Sequence, residues 1–403
     1  MLWAPQQDDA LKAVSDWLAN RDGKQCFRLF GYAGTGKTTL AKHFAEGVEG
    51  QVHFMAYTGK AAHVLRQKGC GDASTIHSMI YNARDKSRTR LKELEAELAA
   101  LRLSGLSETA GARTLEKDIA RERESLAKPA FNLNTASEIK KASLVIVDEC
   151  SMVDGRMGED LLWFGVPVLV LGDPAQLPPV AGGGFFTDHE PDVMLTDIHR
   201  QARDNPIIAM ATKVREGERL NLGDYGDSKV ILGSDVTSEM AMNADQIIVG
   251  RNKTRRASNT RARRLLGIDS DYPVHDDKVV CLRNNHDIGI LNGTIWSVKG
   301  VGDIGEDQLV MDVESLDEPG RVLEDVLTHS HYFLGNEDKL QWWERKNANE
   351  MDYGYAITCH KAQGSQYDKV FLVDEAGAFR DDAKKWLYTA ITRAASQITI
   401  VRT

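Results

Sequence analysis

Residues 30–39 read FGYAGTGKTT, with the glycines, the lysine and the first threonine at the spacing of a phosphate-binding loop. The apolar run 26–30 precedes the loop, and a helical pattern follows from residue 39. The glycines let backbone N–H groups surround phosphates, Lys37 can reach the β- and γ-phosphates, and the Thr38 hydroxyl can bind Mg²⁺. We therefore expect a strand, loop and helix that bind a nucleoside triphosphate; an accidental glycine-rich turn is the alternative. The predicted contacts are Gly31, Gly34, Thr35, Gly36, Lys37, Thr38 and Thr39.

A second apolar run, residues 144–147, ends in the acidic pair Asp148 and Glu149. Continuous apolar runs are typical of strands that are buried on both faces of a parallel sheet. Asp148 is predicted to hold Mg²⁺, and Glu149 is predicted to activate the attacking water as general base. The pair therefore indicates hydrolysis, unless it is merely an acidic strand end at the surface.

A third apolar run, residues 168–171, ends in GDPAQLPPV at residues 172–180. If this is another buried strand of the same sheet, its polar groups reach the same edge. Gln176 would then face the γ-phosphate, although a proline-rich turn after a strand has no such role by itself.

These three motifs resemble the first motor domain of superfamily 1 helicases, most closely the RecD/Dda-like branch. Further stretches continue the resemblance in order: YTGKAA at 57–62, TIH at 75–77, LTDIHRQ at 195–201, YAITCHKAQGSQ at 355–366 and LYTAITRA at 387–394. The resemblance covers nearly the whole chain.

The fold implied by this resemblance is α/β. It has two RecA-like P-loop motor domains with parallel sheets, an inserted helical hairpin subdomain and an inserted small SH3-like β-barrel subdomain. The expected ranges are 1–81 and 141–190 for the first motor domain, 82–140 for the helical pin subdomain, 191–268 and 346–403 for the second motor domain, and 269–345 for the β subdomain.

The resemblance also assigns roles at the ATP site. Arg200 and Arg393 look like paired arginine fingers, whose planar cations stabilise transition-state charge. Gln7 is similar to the adenine-reading glutamine of the family, with Gln6 as the neighbouring candidate. Gly364 and Gln366 would complete the ATP contacts, and Gln366 departs from the more usual glutamate.

A channel for single-stranded DNA is implied by motif positions on both motor domains. Hydroxyls and cations suit phosphate contacts, although Thr and His at strand ends also cap backbone groups. Tyr57, next to the first of these positions, departs from the more usual proline. The implied DNA contacts are Thr58, Lys60, Thr75, His77, Thr358, His360 and Lys361.

A basic segment, residues 251–264, follows the apolar run 246–250. Asn252 and Arg255 are the predicted DNA contacts here, and a solvated helix face is the alternative for the later arginines. The net charge of −9 argues against a generally basic nucleic-acid binder, but a helicase channel needs only a local positive stripe.

Two segments interrupt the motor pattern. Leucines at three- and four-residue spacing within residues 91–101 predict a helical hairpin. In the family this location carries the pin that splits the duplex. Phe131 is a candidate pin residue, or it packs the hairpin, and the hairpin could equally dock a partner. Short β patterns at 278–282, 294–298 and 308–313 predict the β subdomain.

The expected function is ATP-dependent DNA unwinding with Mg²⁺, with 5′→3′ movement on single-stranded DNA taken from the family. The alternatives are a translocase or protein-displacing remodeller without efficient unwinding, and a non-enzymatic adaptor. The expected partners are single-stranded and forked DNA, together with replication, repair or recombination proteins that the sequence does not identify. Five cysteines without metal-ligand spacing, no signal pattern and no apolar run of membrane length predict a soluble cytoplasmic protein, in a bacterial or phage-infected cell. We expect no nuclease or recruitment domain after Arg393.

Overall fold

The computed structural model describes residues 3–83, 89–104, 109–127, 131–179, 183–197, 205–285, 288–303, 305, 307–318 and 320–402. The chain forms two compact units. The larger unit comprises Met1–Ile76 and Ile139–Thr403, and the smaller unit comprises His77–Glu138. In the described part of the chain, no helix combines the length and the apolar character needed to cross a membrane.

Most strands are short and apolar. In chain order they are β1 Cys26–Gly31, β2 Val52–Ala56, β3 Ser74–Thr75, β4 Tyr81–Ala83, β5 Phe131–Leu133, β6 Leu144–Asp148, β7 Val168–Gly172, β8 Val193–Leu195, β9 Gly223–Tyr225, β10 Ser228–Leu232, β11 Gln246–Val249, β12 Lys278–Cys281, β13 Ile295–Asp303, β14 Gln308–Ser315, β15 Val322–His329, β16 Met351–Tyr353, β17 Ala356–Thr358, β18 Tyr367–Asp374 and β19 Ala394–Arg402.

The described α-helices are α1 Pro5–Ala19, α2 Lys37–Glu46, α3 Gly59–Gln67, α4 Ile76–Ile80, α5 Thr89–Leu103, α6 Ala110–Ala127, α7 Gly155–Leu162, α8 Pro206–Glu216, α9 Ser238–Met242, α10 Asn252–Leu265, α11 Ser330–Phe333, α12 Trp342–Asn347, α13 Cys359–Ala362 and α14 Ala383–Ile391. Single turns of 3₁₀-helix lie at Glu138–Lys141, Cys150–Met152, Gly233–Asp235 and Glu337–Lys339, and a longer 3₁₀ segment lies at Ala376–Asp382.

The first sheet has the strand order β3-β2-β6-β7-β1-β8, and all its strand pairs are parallel. Every residue of β6 and β7 is buried, because helices cover both faces of the sheet. The register pairs Phe30 with Gly172 and Ala56 with Asp148. The carboxyl ends of four strands therefore meet at one edge, where the sequence motifs lie.

The second sheet has the order β17-β11-β18-β19-β10-β9 and is parallel except for the β9–β10 pair. The helices α8 and α14 pack against it, with Met210, Val214, Trp386 and Ile391 in one buried cluster with its strands. The prediction of an α/β fold with parallel sheets is confirmed.

A third sheet, β15-β14-β13-β12-β16, is antiparallel throughout. Its strands include the three predicted from the sequence, and β15 and β16 add to them. Trp296, Val298, Met311 and Val313 form its buried core. Along β14, buried side chains alternate with less buried neighbours, as one-sided burial requires.

The smaller unit pairs α5 with α6 and β4 with β5. Leu94 and Leu98 of α5 pack with Leu115 and Ile119 of α6. The three- and four-residue spacing that predicted the hairpin therefore corresponds to its buried seam. The side chain of Phe131, the candidate pin residue, lies outside the described residues.

Candidate nucleotide site and strand channel

The loop between β1 and α2 has the backbone of a phosphate-binding loop. Gly34 and Gly36 both have φ +81°, a left-handed conformation that glycine adopts without strain. A Cβ at Gly31 would lie 2.6 Å from the Thr35 hydroxyl oxygen, so this position has no room for a side chain. Helix α2 starts at Lys37 and directs its free N–H groups at the loop, which favours an anion there.

Lys37 and Gln7 both bond to the backbone of this loop. The Lys37 ammonium donates to the carbonyl oxygens of Gly31 at 2.6 Å and Tyr32 at 3.1 Å. The buried Gln7 amide donates to the Thr35 carbonyl at 3.1 Å and accepts from the Ala4 N–H at 3.1 Å. Gln7 therefore supports the loop from the N-terminal helix.

Gln6, the neighbouring adenine candidate, has a different environment. Its side-chain oxygen accepts from the Thr196 and Asp197 N–H groups at 2.9 Å each. Its amide nitrogen donates to the Thr196 hydroxyl at 2.9 Å. Gln6 therefore joins α1 to the chain that follows β8.

The acidic pair lies at the carboxyl end of β6, beside the loop. The Thr38 hydroxyl donates to Asp148 Oδ2 at 2.9 Å, and the Glu149 N–H donates to Asp148 Oδ1 at 2.8 Å. Burial, and then the charge of Glu149, raise the pKa of Asp148, while Thr38 and Lys37 oppose this shift. A divalent cation beside Asp148 would favour its charged form.

Oxygen ligands that suit Mg²⁺ are thus brought together by Thr38 and Asp148. Glu149 itself has φ 53° and ψ 44°, a left-handed conformation that is costly for a residue with a side chain. Among the described residues, no three His, Cys, Asp or Glu side chains form a metal cluster. Mg²⁺ in phosphate sites is commonly held by one or two protein oxygens together with the substrate phosphates, which fits this pair.

A buried network that sequence reasoning missed joins this edge to α14. The Tyr388 hydroxyl donates to Asp173 Oδ2 at 2.6 Å and accepts from the Ala33 N–H of the loop at 3.0 Å. Burial raises the pKa of Asp173 and of Tyr388. Tyr388 lies within the motif at 387–394, but no local pattern shows where its hydroxyl would bond.

The segment after β7 is held by the second parallel-sheet domain. The Leu177 N–H donates to the Thr389 hydroxyl at 2.8 Å, and the Gln363 amide donates to the Leu177 carbonyl at 3.0 Å. Gln176 precedes this contact and is buried, and its side-chain oxygen has no hydrogen-bond partner among the described residues. The unpaired oxygen leaves Gln176 able to accept a bond from a ligand or water.

Arg393 is a buried cation with neutral partners. It donates to the carbonyls of Thr389 at 3.1 Å and Ser365 at 3.2 Å, and to the Thr392 hydroxyl at 3.1 Å. No carboxylate of the described residues is within ion-pair distance, so its charge is available to an anion. The other predicted arginine finger, Arg200, lies outside the described residues.

Of the two predicted ATP contacts after α13, Gly364 packs against α3. A Cβ at Gly364 would be 2.9 Å from the Cβ of Ala61 and 3.1 Å from the Thr58 hydroxyl oxygen, which places Gly364 against α3. Its φ of +73° also favours glycine. Gln366 is exposed two residues further on.

One cavity of about 540 Å³ gathers most of the predicted DNA contacts. Its lining comes from α3, α10, α13 and the antiparallel sheet. Among the described residues, the lining includes neither Thr75, which is buried at the end of β3, nor His77, which belongs to the smaller unit. The predicted contacts that line it are Thr58, Lys60, Asn252, Arg255, Thr358, His360 and Lys361.

The cations of this cavity differ in their partners. The buried Lys60 ammonium lies 2.9 Å from Asp317 Oδ1, and Arg255 Nη1 lies 2.5 Å from Asp352 Oδ2. The Lys361 ammonium instead donates to the neutral amide oxygen of Asn292 at 2.8 Å. Burial lowers the pKa of both Lys361 and the neighbouring His360.

The two threonines of the cavity also cap helices. The Thr58 hydroxyl accepts from the Ala61 N–H at 3.1 Å, and the Thr358 hydroxyl accepts from the Lys361 N–H at 3.4 Å. Both threonines therefore cap backbone groups, which was the alternative role expected from the sequence. The O–H of each threonine can still donate a hydrogen bond.

Three further arginines of the basic segment form internal ion pairs. Arg263 is buried against Asp277 at 3.0 Å, and Arg256 lies 2.8 Å from Glu337. Arg251 lies 2.7 Å from Glu375, which also accepts from the Gly250 N–H. These arginines attach α10 to its neighbours.

The five cysteines are free and buried.

Taken together, the loop, the acidic pair and the two parallel sheets define a P-loop protein with tandem α/β domains.

Comparisons with known proteins agree with this class. A model of the family described as AAA domain matches residues 3–235, more than half of the chain, and one described as UvrD-like helicase C-terminal domain matches residues 353–401. The chain therefore belongs to the AAA-domain family.

Curated relatives include an ATP-dependent RecD2 DNA helicase of Deinococcus radiodurans, 28% identical over 95% of this chain and 47% of the relative. A conjugal transfer protein TraA of Rhizobium radiobacter is 24% identical over 94% of this chain and 34% of the relative. The chain thus spans less than half the length of these relatives.

Solved structures share the fold. A Bacteroides Pif1 bound to single-stranded DNA has a TM-score of 0.53 at 17% identity, covering 99% of this chain and 92% of that chain. A Pif1 helicase from Candida albicans has a TM-score of 0.52 at 17% identity, covering 100% of this chain and 94% of that chain.

Proposed function

We propose that this chain is an ATP-dependent DNA helicase that moves along single-stranded DNA and separates duplex DNA. The observation that carries the proposal is the cavity lined by seven predicted DNA contacts, which come from both sides of the contact between the two parallel-sheet domains. The same contact holds the edge of the nucleotide site, because Leu177 bonds to Thr389 and Gln363. A change at one site therefore has a direct structural route to the other.

At the nucleotide site, Lys37 binds the β- and γ-phosphates, and the N-terminus of α2 supports them. Thr38 and Asp148 hold Mg²⁺, which neutralises charge that develops on the phosphates. Glu149 orients the attacking water and accepts its proton.

Gln176 and Arg393 face the terminal phosphate from the two sides of the interdomain contact, with Arg200 proposed as the second arginine. A guanidinium suits the spreading negative charge of the transition state. Gln7, Gly364 and Gln366 remain proposed nucleotide contacts from the family resemblance.

In the channel, hydroxyls and cations of the cavity bind backbone phosphates, and Lys60 adds little because Asp317 already pairs with its charge. Lys361 is the proposed phosphate contact that forms no ion pair with a carboxylate among the described residues. Thr75 and His77 remain proposed DNA contacts from the family resemblance. ATP binding closes the two domains on each other and hydrolysis reopens them, so that alternating contact moves the strand.

We propose 5′→3′ movement from the resemblance to the RecD/Dda-like branch. The proposed organisation keeps the predicted ranges, with 82–140 as the pin subdomain and 269–345 as an SH3-like barrel. The α5–α6 hairpin and the antiparallel sheet support these two assignments. Single-stranded and forked DNA are the proposed nucleic-acid partners, and a cytoplasmic location stays a prediction.

The test measures ATP hydrolysis with and without single-stranded DNA, together with strand separation on forks that carry a 5′ or a 3′ tail. We expect DNA-stimulated hydrolysis and unwinding that depends on the 5′ tail, with Lys37→Ala inactive in both assays. Stimulation without unwinding would favour the translocase or protein-displacing remodeller. Absent stimulation would contradict a DNA motor.

A further inference from the structure

Two side chains of the second parallel-sheet domain contact neighbouring residues of the phosphate-binding loop. The Tyr388 hydroxyl of α14 accepts from the Ala33 N–H at 3.0 Å. The Arg215 guanidinium of α8 lies 3.6 Å from the centroid of the Tyr32 ring, close enough for a strong cation–π contact. Because α8 and α14 pack against each other, both side chains belong to one rigid part of that domain.

The Tyr388 hydroxyl both accepts and donates a hydrogen bond. While it accepts from Ala33, it donates to Asp173 at 2.6 Å, and both Tyr388 and Asp173 are 1% exposed. The other carboxylate oxygen of Asp173 accepts from the Ala175 N–H at 3.0 Å. Since buried polar groups need their partners, the position of the loop is fixed relative to Asp173 and to α14.

The loop residues in question are adjacent to the nucleotide lysine. Lys37 donates to the Tyr32 carbonyl at 3.1 Å. Along the chain, this carbonyl lies between the Tyr32 ring, which Arg215 contacts, and the Ala33 N–H, which donates to Tyr388. The Lys37 ammonium keeps a third N–H for a phosphate oxygen, and turning it toward that oxygen would alter its bonds to the Gly31 and Tyr32 carbonyls. A change in these bonds would act directly on the backbone of residues 32–33.

We propose that Tyr388 and Arg215, with Tyr32, Ala33 and Asp173, form an interdomain clasp that couples occupancy of the phosphate-binding loop to the position of the second domain. This inference rests on the proposed function. Tyr388 and Arg215 are positioning residues, separate from the arginines proposed to stabilise the transition state. The coupling continues through Asp173 to Gln176 and to Leu177, which bonds to the second domain.

Tyr388→Phe removes one hydroxyl and keeps the ring, and Arg215→Ala removes the stacked cation. A similar pair of side chains supplies matched controls. Lys213, which like Arg215 lies on α8, is 5.8 Å from the centroid of the Tyr225 ring, and the Tyr225 hydroxyl bonds to the backbone of Asn221. Lys213→Ala and Tyr225→Phe therefore remove equivalent groups from a similar pair outside the clasp.

The first readout separates nucleotide affinity from DNA coupling. For both clasp variants we expect the affinity for a fluorescent ATP analogue to stay within about twofold, while the stimulation of ATPase by single-stranded DNA falls about fivefold or more. The controls should retain stimulation. Equal losses in clasp and control variants, or unchanged stimulation in Tyr388→Phe, would overturn the proposal.

The second readout does not depend on DNA. Dyes on Glu49→Cys and Ser234→Cys, exposed positions on the two parallel-sheet domains, follow nucleotide-induced closure by energy transfer. We expect the ATP-analogue response to be lost in Tyr388→Phe and kept in Tyr225→Phe, with both variants cooperatively folded in thermal unfolding. An unchanged response in Tyr388→Phe would refute the clasp, whereas a wild-type protein without DNA stimulation would refute only the proposed function.

Discussion

Lys361 and Lys60 line the same cavity but should respond differently to the same substitution. The Lys361 ammonium donates to a neutral amide oxygen, whereas the Lys60 ammonium is paired with the Asp317 carboxylate. We therefore expect Lys361→Met to remove a phosphate contact and Lys60→Met to remove mainly an internal ion pair.

The expected magnitudes follow from these partners. One phosphate contact on a single strand contributes about 0.7 to the slope of log affinity against log salt. Raising the salt concentration from about 50 to about 200 mM should therefore reduce the DNA affinity of Lys361→Met about 2.6-fold less than that of the wild type. Lys60→Met should keep the wild-type slope. Its unfolding free energy should fall by about 3 kcal/mol, the lower end for a buried pair, because Asp317 retains some exposure to solvent.

The assay is fluorescence anisotropy of a labelled oligonucleotide at several salt concentrations, with urea unfolding of each variant in parallel. The reasoning fails if Lys361→Met keeps the wild-type slope, or if Lys60→Met reduces the slope and leaves the stability unchanged. The first result would mean that Lys361 does not contact the strand, and the second would mean that Lys60 does.

Three further substitutions test other parts of the structure. Glu149→Gln should reduce ATP turnover by about 10²-fold or more through loss of the general base, with ATP affinity retained in a filter-binding assay; equal loss of both would contradict that role. Gly31→Ala should abolish nucleotide binding measured by calorimetry, because the added Cβ would lie 2.6 Å from the Thr35 hydroxyl oxygen; normal binding would refute the packing described. Leu98→Ala, which leaves a cavity between α5 and α6, should lower the unfolding free energy of the smaller unit by about 2–5 kcal/mol, and hydrogen exchange that is unchanged in that unit would argue against the seam.

Much of the nucleotide site could be predicted from the sequence because its signals are local. The loop at 30–39 and the runs that end in Asp148 and Gly172 are contiguous, and each predicted strand is present in the first sheet. Parallel strands bring their carboxyl ends to one edge, so the meeting of Thr38 with Asp148 followed from topology alone.

The partners of the charged side chains could not be predicted in the same way. Lys60 pairs with Asp317, and Arg255 pairs with Asp352, about a hundred residues or more away along the chain. No periodic pattern links such positions, because the contacts depend on how the inserted antiparallel sheet meets the parallel-sheet domains. The sequence therefore indicated which cations belong to the cavity but not which of them a carboxylate already neutralises.

The left-handed backbone at Glu149 sets stability against activity at this position. A residue with a side chain is strained there by about 1–3 kcal/mol, and glycine would relieve that strain. A laboratory selection for heat resistance alone would consequently favour Glu149→Gly, which raises the melting temperature and removes the proposed general base. Thermostable variants of this protein should be screened for turnover at every round, since this residue offers an easy route to a more durable but inactive chain.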